Sequence, residues 1–91
     1  MKAGIVIGNI WATRKDEKLE GLKLMIVQPL NIIDNSPIGP PIIAADNIGA
    51  GVNEKVIYVG GSSARMPVGG SNIPVDATIV GIVDGQDIIS L

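Results

Sequence analysis

The chain has 91 residues and a net charge of −2, and it contains neither cysteine nor histidine. That excludes a disulfide framework, cysteine nucleophiles, histidine-based triads and zinc fingers, and the acidic balance gives no electrostatic case for nucleic acid or an anionic membrane. Hydrophobic residues make up 46% of the chain, yet aromatics only 2%, namely Trp11 and Tyr58. The apolar content is therefore mostly aliphatic, with Ile and Val favouring strands over helices. The 12 glycines and 6 prolines fall between apolar runs as punctuation, which predicts many short strands and tight turns in one small domain spanning 1–91.

In chain order, Met1-Lys2-Ala3-Gly4-Ile5-Val6-Ile7-Gly8 is basic and then apolar, as a signal peptide is. Its apolar run is short, however, and Asn9 and the charged Arg14-Lys15-Asp16-Glu17-Lys18 follow. We read residues 2–13 as a first strand. No apolar run approaches the ~20 residues of a membrane span, so a cytoplasmic protein is expected. Residues 14–20, ended by Gly21, form a solvated hairpin loop or a helical turn. Residues 22–30 make the second strand, which Pro29 restricts to an edge or end position. Residues 31–41, with Pro37, Pro40 and Pro41, are an ordered loop.

Ile42 to Ala45 form a short third strand ending at Asp46, and Gly49-Ala50-Gly51 marks a turn in which a glycine takes positive φ. Lys55–Val59 is the fourth strand, Gly60-Gly61 a turn, and Ser62 to Met66 at most one helical turn. Residues 68–72 are a Gly-rich loop, Ala77–Val83 the fifth strand, and Asp87-Ile88-Ile89-Ser90-Leu91 an apolar tail. Five strands in this order predict an all-β fold, a small OB-like antiparallel barrel. Gly81, mid-strand, implies close backbone approach or a barrel bend.

A half-exposed strand alternates apolar with polar. The fifth strand does not: Ala77, Ile79, Gly81 and Val83 share one face, and Thr78, Val80 and Ile82 the other. The first strand places Ile5, Ile7 and Trp11 opposite Val6 and Ile10. One barrel has one interior, so some of these side chains need cover from another subunit or from the tail, because large exposed apolar patches are unusual on soluble monomers. Val80, Ile82, Ile88 and Ile89 are thus candidate interface residues, and an obligate oligomer is expected.

Several stretches appear together in a fixed order: Gly21-Leu22-Lys23-Leu24, Val27-Gln28-Pro29-Leu30, Asp46-Asn47-Ile48-Gly49-Ala50-Gly51, Glu54 through Val59 to Gly60-Gly61-Ser62-Ser63-Ala64-Arg65, and Pro74-Val75-Asp76-Ala77 through to Asp84. As an ordered set, from Gly4 to Asp84, they resemble the bacterial microcompartment vertex proteins of the EutN/CcmL type. The resemblance implies a homopentamer that plugs the corners of a polyhedral shell built from hexameric shell proteins. It implies a structural role with no cofactor and no catalysis.

Individual residues allow other readings. Gly60-Gly61-Ser62-Ser63 with Arg65 could form an anion nest; the reading we adopt is a tight turn with a serine cap and Arg65 pairing across a subunit boundary. Asp46, Glu54 and Asp76 could form an acid–base or metal cluster, but each lies at a strand end where carboxylates bond turn amides. Trp11 could be a stacking platform, with core or interface packing as the plainer use. Two small-residue turns, Gly49-Ala50-Gly51 and Gly61-Ser62-Ser63, are rival candidates for a symmetry axis. The functional alternatives are an OB-type module for oligonucleotide or oligosaccharide, which needs a basic groove and several aromatics, and a small enzyme, for which no nucleophile–base pair is visible.

Overall fold

The structure, a computed structural model, describes residues 1–12, 17–19, 21–61, 64, 68 and 74–89. Among them lie five strands: β1 (Lys2–Ile10), β2 (Lys23–Leu30), β3 (Ile42–Asp46), β4 (Lys55–Gly60) and β5 (Ala77–Ile82), with a 3-10 turn at Glu17–Leu19. The strands close a barrel in the order β1-β2-β3-β5-β4, with β4 paired back to β1. β1 is three residues shorter than expected, and Pro29 occupies the last but one position of β2, where its missing N–H costs least.

The expected barrel was wholly antiparallel, and one seam departs from that: β3 and β5 run parallel, joined at Ala45 and Thr78. The reason is parity. Five strands form an odd ring, and strand direction cannot alternate all the way round it.

Two bulges set which side chains point inward. The β1–β2 register slips between Val6 and Gly8, leaving Ile7 unopposed. The β4–β5 register passes from Gly81 opposite Ile57 to Ile79 opposite Tyr58, so Val80 is the extra residue. The simple two-face alternation expected for β5 is thereby broken. Ala77 and Ile79 face the core, and past the bulge Ile82 packs against it too.

That core joins Val6, Met25, Val27, Ala44, Ala50, Val56, Tyr58, Ala77 and Ile79. Burying an aliphatic side chain such as Ile79 contributes about 2 kcal/mol. A second, smaller cluster lies outside the barrel. Ala45, Ala64 and Val75 are buried there, with Leu19, Leu22, Leu24, Val59 and Val68 packed against them. Ala44 and Ala45 point to opposite faces of β3, and both are fully covered. The connection between β4 and β5 therefore provides part of the cover that the sequence pattern assigned to a neighbour or the tail. Thr78 is buried beneath it, its Oγ1 donating to the Ala64 carbonyl at 2.5 Å.

Glycine is required where the barrel is tightest. A Cβ on Gly4 would lie 2.5 Å from Val27 Cγ1 and 3.0 Å from the Gln28 carbonyl oxygen. At Gly81 the close neighbour is a side chain, Ile57, with Cγ1 at 2.9 Å, and of the two expectations for this glycine the position fits the bend, beside the bulge at Val80, and not close backbone approach. Gly4→Ala is expected to destabilise by about 2–3 kcal/mol and Gly81→Ala by less, because a Cβ there meets only the half-buried Ile57 side chain and no backbone atom; denaturant midpoints at fixed protein concentration measure both. Gly81→Val should cost more than Gly81→Ala.

Burial raises the Tyr58 hydroxyl above its ordinary value of 10.0. The unfolded chain then ionises first, so stability is full below pH 10 and falls as pH rises through the folded value. Tyr58→Phe should flatten that alkaline decline in a melting-temperature profile.

Candidate functional site

One end of the barrel gathers the start of β1, the end of β2, the start of β3, the end of β4 and the start of β5. The 31–41 loop rises beside this end and is tied down locally. Asn31 N donates to the Ser36 carbonyl at 2.8 Å, Asn35 N to the Asn31 carbonyl at 2.9 Å, and Ile38 N to the Pro29 carbonyl at 2.9 Å. Gln28 Nε2 donates to the Gly39 carbonyl at 3.0 Å. Asp34 Oδ1 accepts from the Ser36 hydroxyl and amide, which hold its carboxyl below the ordinary range. The loop displays Ile32, Ile33 and Ile38 to solvent.

Between loop and barrel lies an open, mainly apolar groove of about 1200 Å³, lined among others by Leu30, Ile38, Ile43, Ile57 and Tyr58. Ile43 faces outward and is 54% exposed. Exposed apolar patches of this size mark sites of protein, membrane or ligand contact.

The opposite end is closed by the turn after β3. Asp46 is buried, and its carboxylate accepts from Ile48 N at 3.0 Å, Gly49 N at 3.3 Å and Ala50 N at 2.8 Å. Lys23 Nζ stands 3.7 Å away and also donates to the Ala50 carbonyl. Glu54 Oε1 accepts from Gly51 N at 2.6 Å. Asp46 and Glu54 thus bond turn amides, while Asp76 lies at the groove end. Among the described residues no group of three or more carboxylates gathers to hold a metal ion.

The site residues named from sequence fall in different places. Gly49, with φ +95, is exposed at the turn, Gly51 is half-buried beside Glu54, and Ala50 is fully buried, plugging the barrel core. The Ala50 side chain therefore packs into the barrel of its own protomer. Gly61 lines the groove at the other end. Ser62, Ser63 and Arg65 lie outside the described residues. Val80 is half-buried at its bulge, and Ile82 is turned toward the core, so alternation no longer argues for Ile82 as an interface residue. Ile88 and Ile89 are exposed, the latter at 79%. Trp11 is 91% exposed, so core packing is not its use.

Sequence reasoning missed the fastening of the tail. Val83 N donates to the Lys55 carbonyl at 2.8 Å. Lys55 Nζ donates to Gln86 Oε1 and Asn35 Oδ1, each at 2.7 Å, and Gln86 Nε2 donates to the Ile32 carbonyl at 2.8 Å. The partners are 20 to 54 residues apart, and no local pattern connects them.

The family model described as "Ethanolamine utilisation protein EutN/carboxysome" matches residues 1–84. The carboxysome shell vertex protein CcmL of Synechocystis is 38% identical over 90 residues, covering 99% of this chain and 89% of that protein. The bacterial microcompartment shell vertex protein EutN of Escherichia coli is 42% identical over 84 residues, covering 92% and 87%. A solved structure described as the GrpN pentameric microcompartment shell protein from Rhodospirillum rubrum superposes with a TM-score of 0.86 at 40% identity, covering 98% of this chain and 100% of that one.

Asp46→Ala would leave three turn amides without their acceptor. We expect a loss of roughly 3 kcal/mol, visible as a lowered melting temperature, with Asp46→Asn retaining part of the bonding and lying between.

Proposed function

We propose that this chain, which belongs to the EutN/carboxysome family, forms the pentamer that caps the five-fold vertices of a bacterial microcompartment shell. The observation that carries the reading is the match, over 98% of the chain, to a structure described as a pentameric shell protein. The apolar groove and the uncovered isoleucines support it, because a head-to-tail contact between unlike surfaces closes a ring when the rotation fits. Five protomers in a ring supply the corner that a layer of hexagonal tiles lacks. The partners are then further copies of this chain and hexameric shell proteins, in the cytoplasm. The work is curvature and sealing, with no chemistry required of any side chain.

An oligonucleotide-binding barrel needs several exposed aromatic platforms. Here Tyr58 is buried and Trp11 is the other aromatic of the chain.

Native mass spectrometry at micromolar concentration should show a pentamer; a dominant monomer or hexamer overturns the reading. Deleting the gene from a host that makes matching hexamers should leave sheets, tubes or elongated bodies by electron microscopy. Regular closed polyhedra in that strain, with no second vertex protein present, would be incompatible with the proposed role.

A further inference from the structure

The groove and the tail are complementary, and neither is satisfied within the protomer. Ile38, Ile43 and Ile57 line the groove, and Ile38 and Ile43 remain more than half exposed. Ile88 and Ile89 stand in solvent at 50% and 79%, and no residue of 84–89 lines the protomer's own groove. The root of the tail is fixed by Val83, Gln86 and Lys55. From Asp87 to Ile89 the chain extends at most about 10 Å past that anchor. A fixed root and a short reach suit an adjacent acceptor held at constant geometry.

Charge points the same way. Asp84 and Asp87 precede the apolar end of the tail, and both are exposed. Lys2, exposed on β1, lines the groove. Among the described residues neither Lys2 nor Asp87 has an ionic partner in the protomer. The carboxylate in the lining, Asp76, belongs to the Gly60–Gly61 side, whereas Lys2 pairs with Tyr58, two residues earlier on β4.

We infer that the tail, through Ile88 and Ile89 with Asp87 facing Lys2, docks in the groove of the neighbouring copy in the ring. Each protomer then gives one tail and receives one. Successive residues of an extended segment point opposite ways, so one isoleucine enters the groove while the other covers the joint. The inference rests on the pentamer reading and adds to it the segments that form the contact.

Cross-linking tests it directly, because the chain has no cysteine of its own. In the double variant Ile38→Cys with Ile89→Cys, oxidation should give a ladder up to covalent pentamer on a non-reducing gel, with each single variant unlinked. A chain ending at Gln86 should keep its circular dichroism spectrum while its pentamer dissociates at a protein concentration roughly tenfold higher. Lys2→Glu and Asp87→Lys should each weaken the ring at low salt, and together restore it. A wild-type pentamer whose truncated form resists dilution equally overturns the tail contact and leaves the vertex reading standing. A monomeric wild type overturns the vertex reading itself. A disulfide confined to one chain overturns the exchange between neighbours.

Discussion

A ring of five short strands encloses one interior, and this chain carries more aliphatic side chains than that interior holds. Among the described residues the main core takes nine that are buried, all smaller than an aromatic except Tyr58. Everything else apolar must be placed elsewhere. Part goes beneath the connection between β4 and β5, where Ala45, Ala64 and Val75 form the satellite cluster. The remainder, including Ile7, Ile43, Ile48 and Ile89, stays on the surface. The surplus is thus partly folded back and partly left exposed. Five strands also force one parallel seam, which places the long connection where it can cover β3 and β5 together.

Polar groups in this molecule mainly fix loops. Asp46 gathers three amides and Glu54 a fourth, so the turn that seals the barrel is held by carboxylates and not by packing alone. Asp34 does the same on a smaller scale in the 31–41 loop. Lys55 fastens two distant segments through neutral amide oxygens, with Gln86 as the second link. Asp46 and Glu54, which could be mistaken for part of a catalytic cluster, are thus already occupied by turn amides, and Asp76 lies at the groove end of the barrel.

The strands and the family were legible because Gly and Pro punctuate aliphatic runs, and such punctuation survives without knowledge of tertiary contacts. Pro29 marked the end of β2 and Asp46 the end of β3 for local steric and hydrogen-bonding reasons. The inward faces were less legible. A bulge inserts one residue and reverses the phase of all that follow, and nothing local to Val80 or Ile7 announces it. Hence Ile82 looked outward on paper and packs inward in the fold. Ala50 looked like a slender turn residue, yet its methyl fills the barrel end, because the Asp46 carboxylate draws the turn over the core. The groove was invisible for a related reason: its walls come from five separate stretches, and periodicity within one stretch cannot show what closure brings together.

The parallel seam has a consequence for how the barrel comes apart. Seven register pairs join β1 to β2, but one joins β3 to β5, supported by the Thr78 hydroxyl on Ala64. Free energies of local opening are graded within a fold, lowest where few backbone bonds must break. In this barrel the gradient runs from the seam to the β1–β2 ladder. Among the barrel strands, amides near Ala45 and Thr78 are expected to exchange with solvent before those of Val6 and Val27. The satellite cluster, packed over Ala45 beside that seam, then acts as a latch on a circle with a built-in opening.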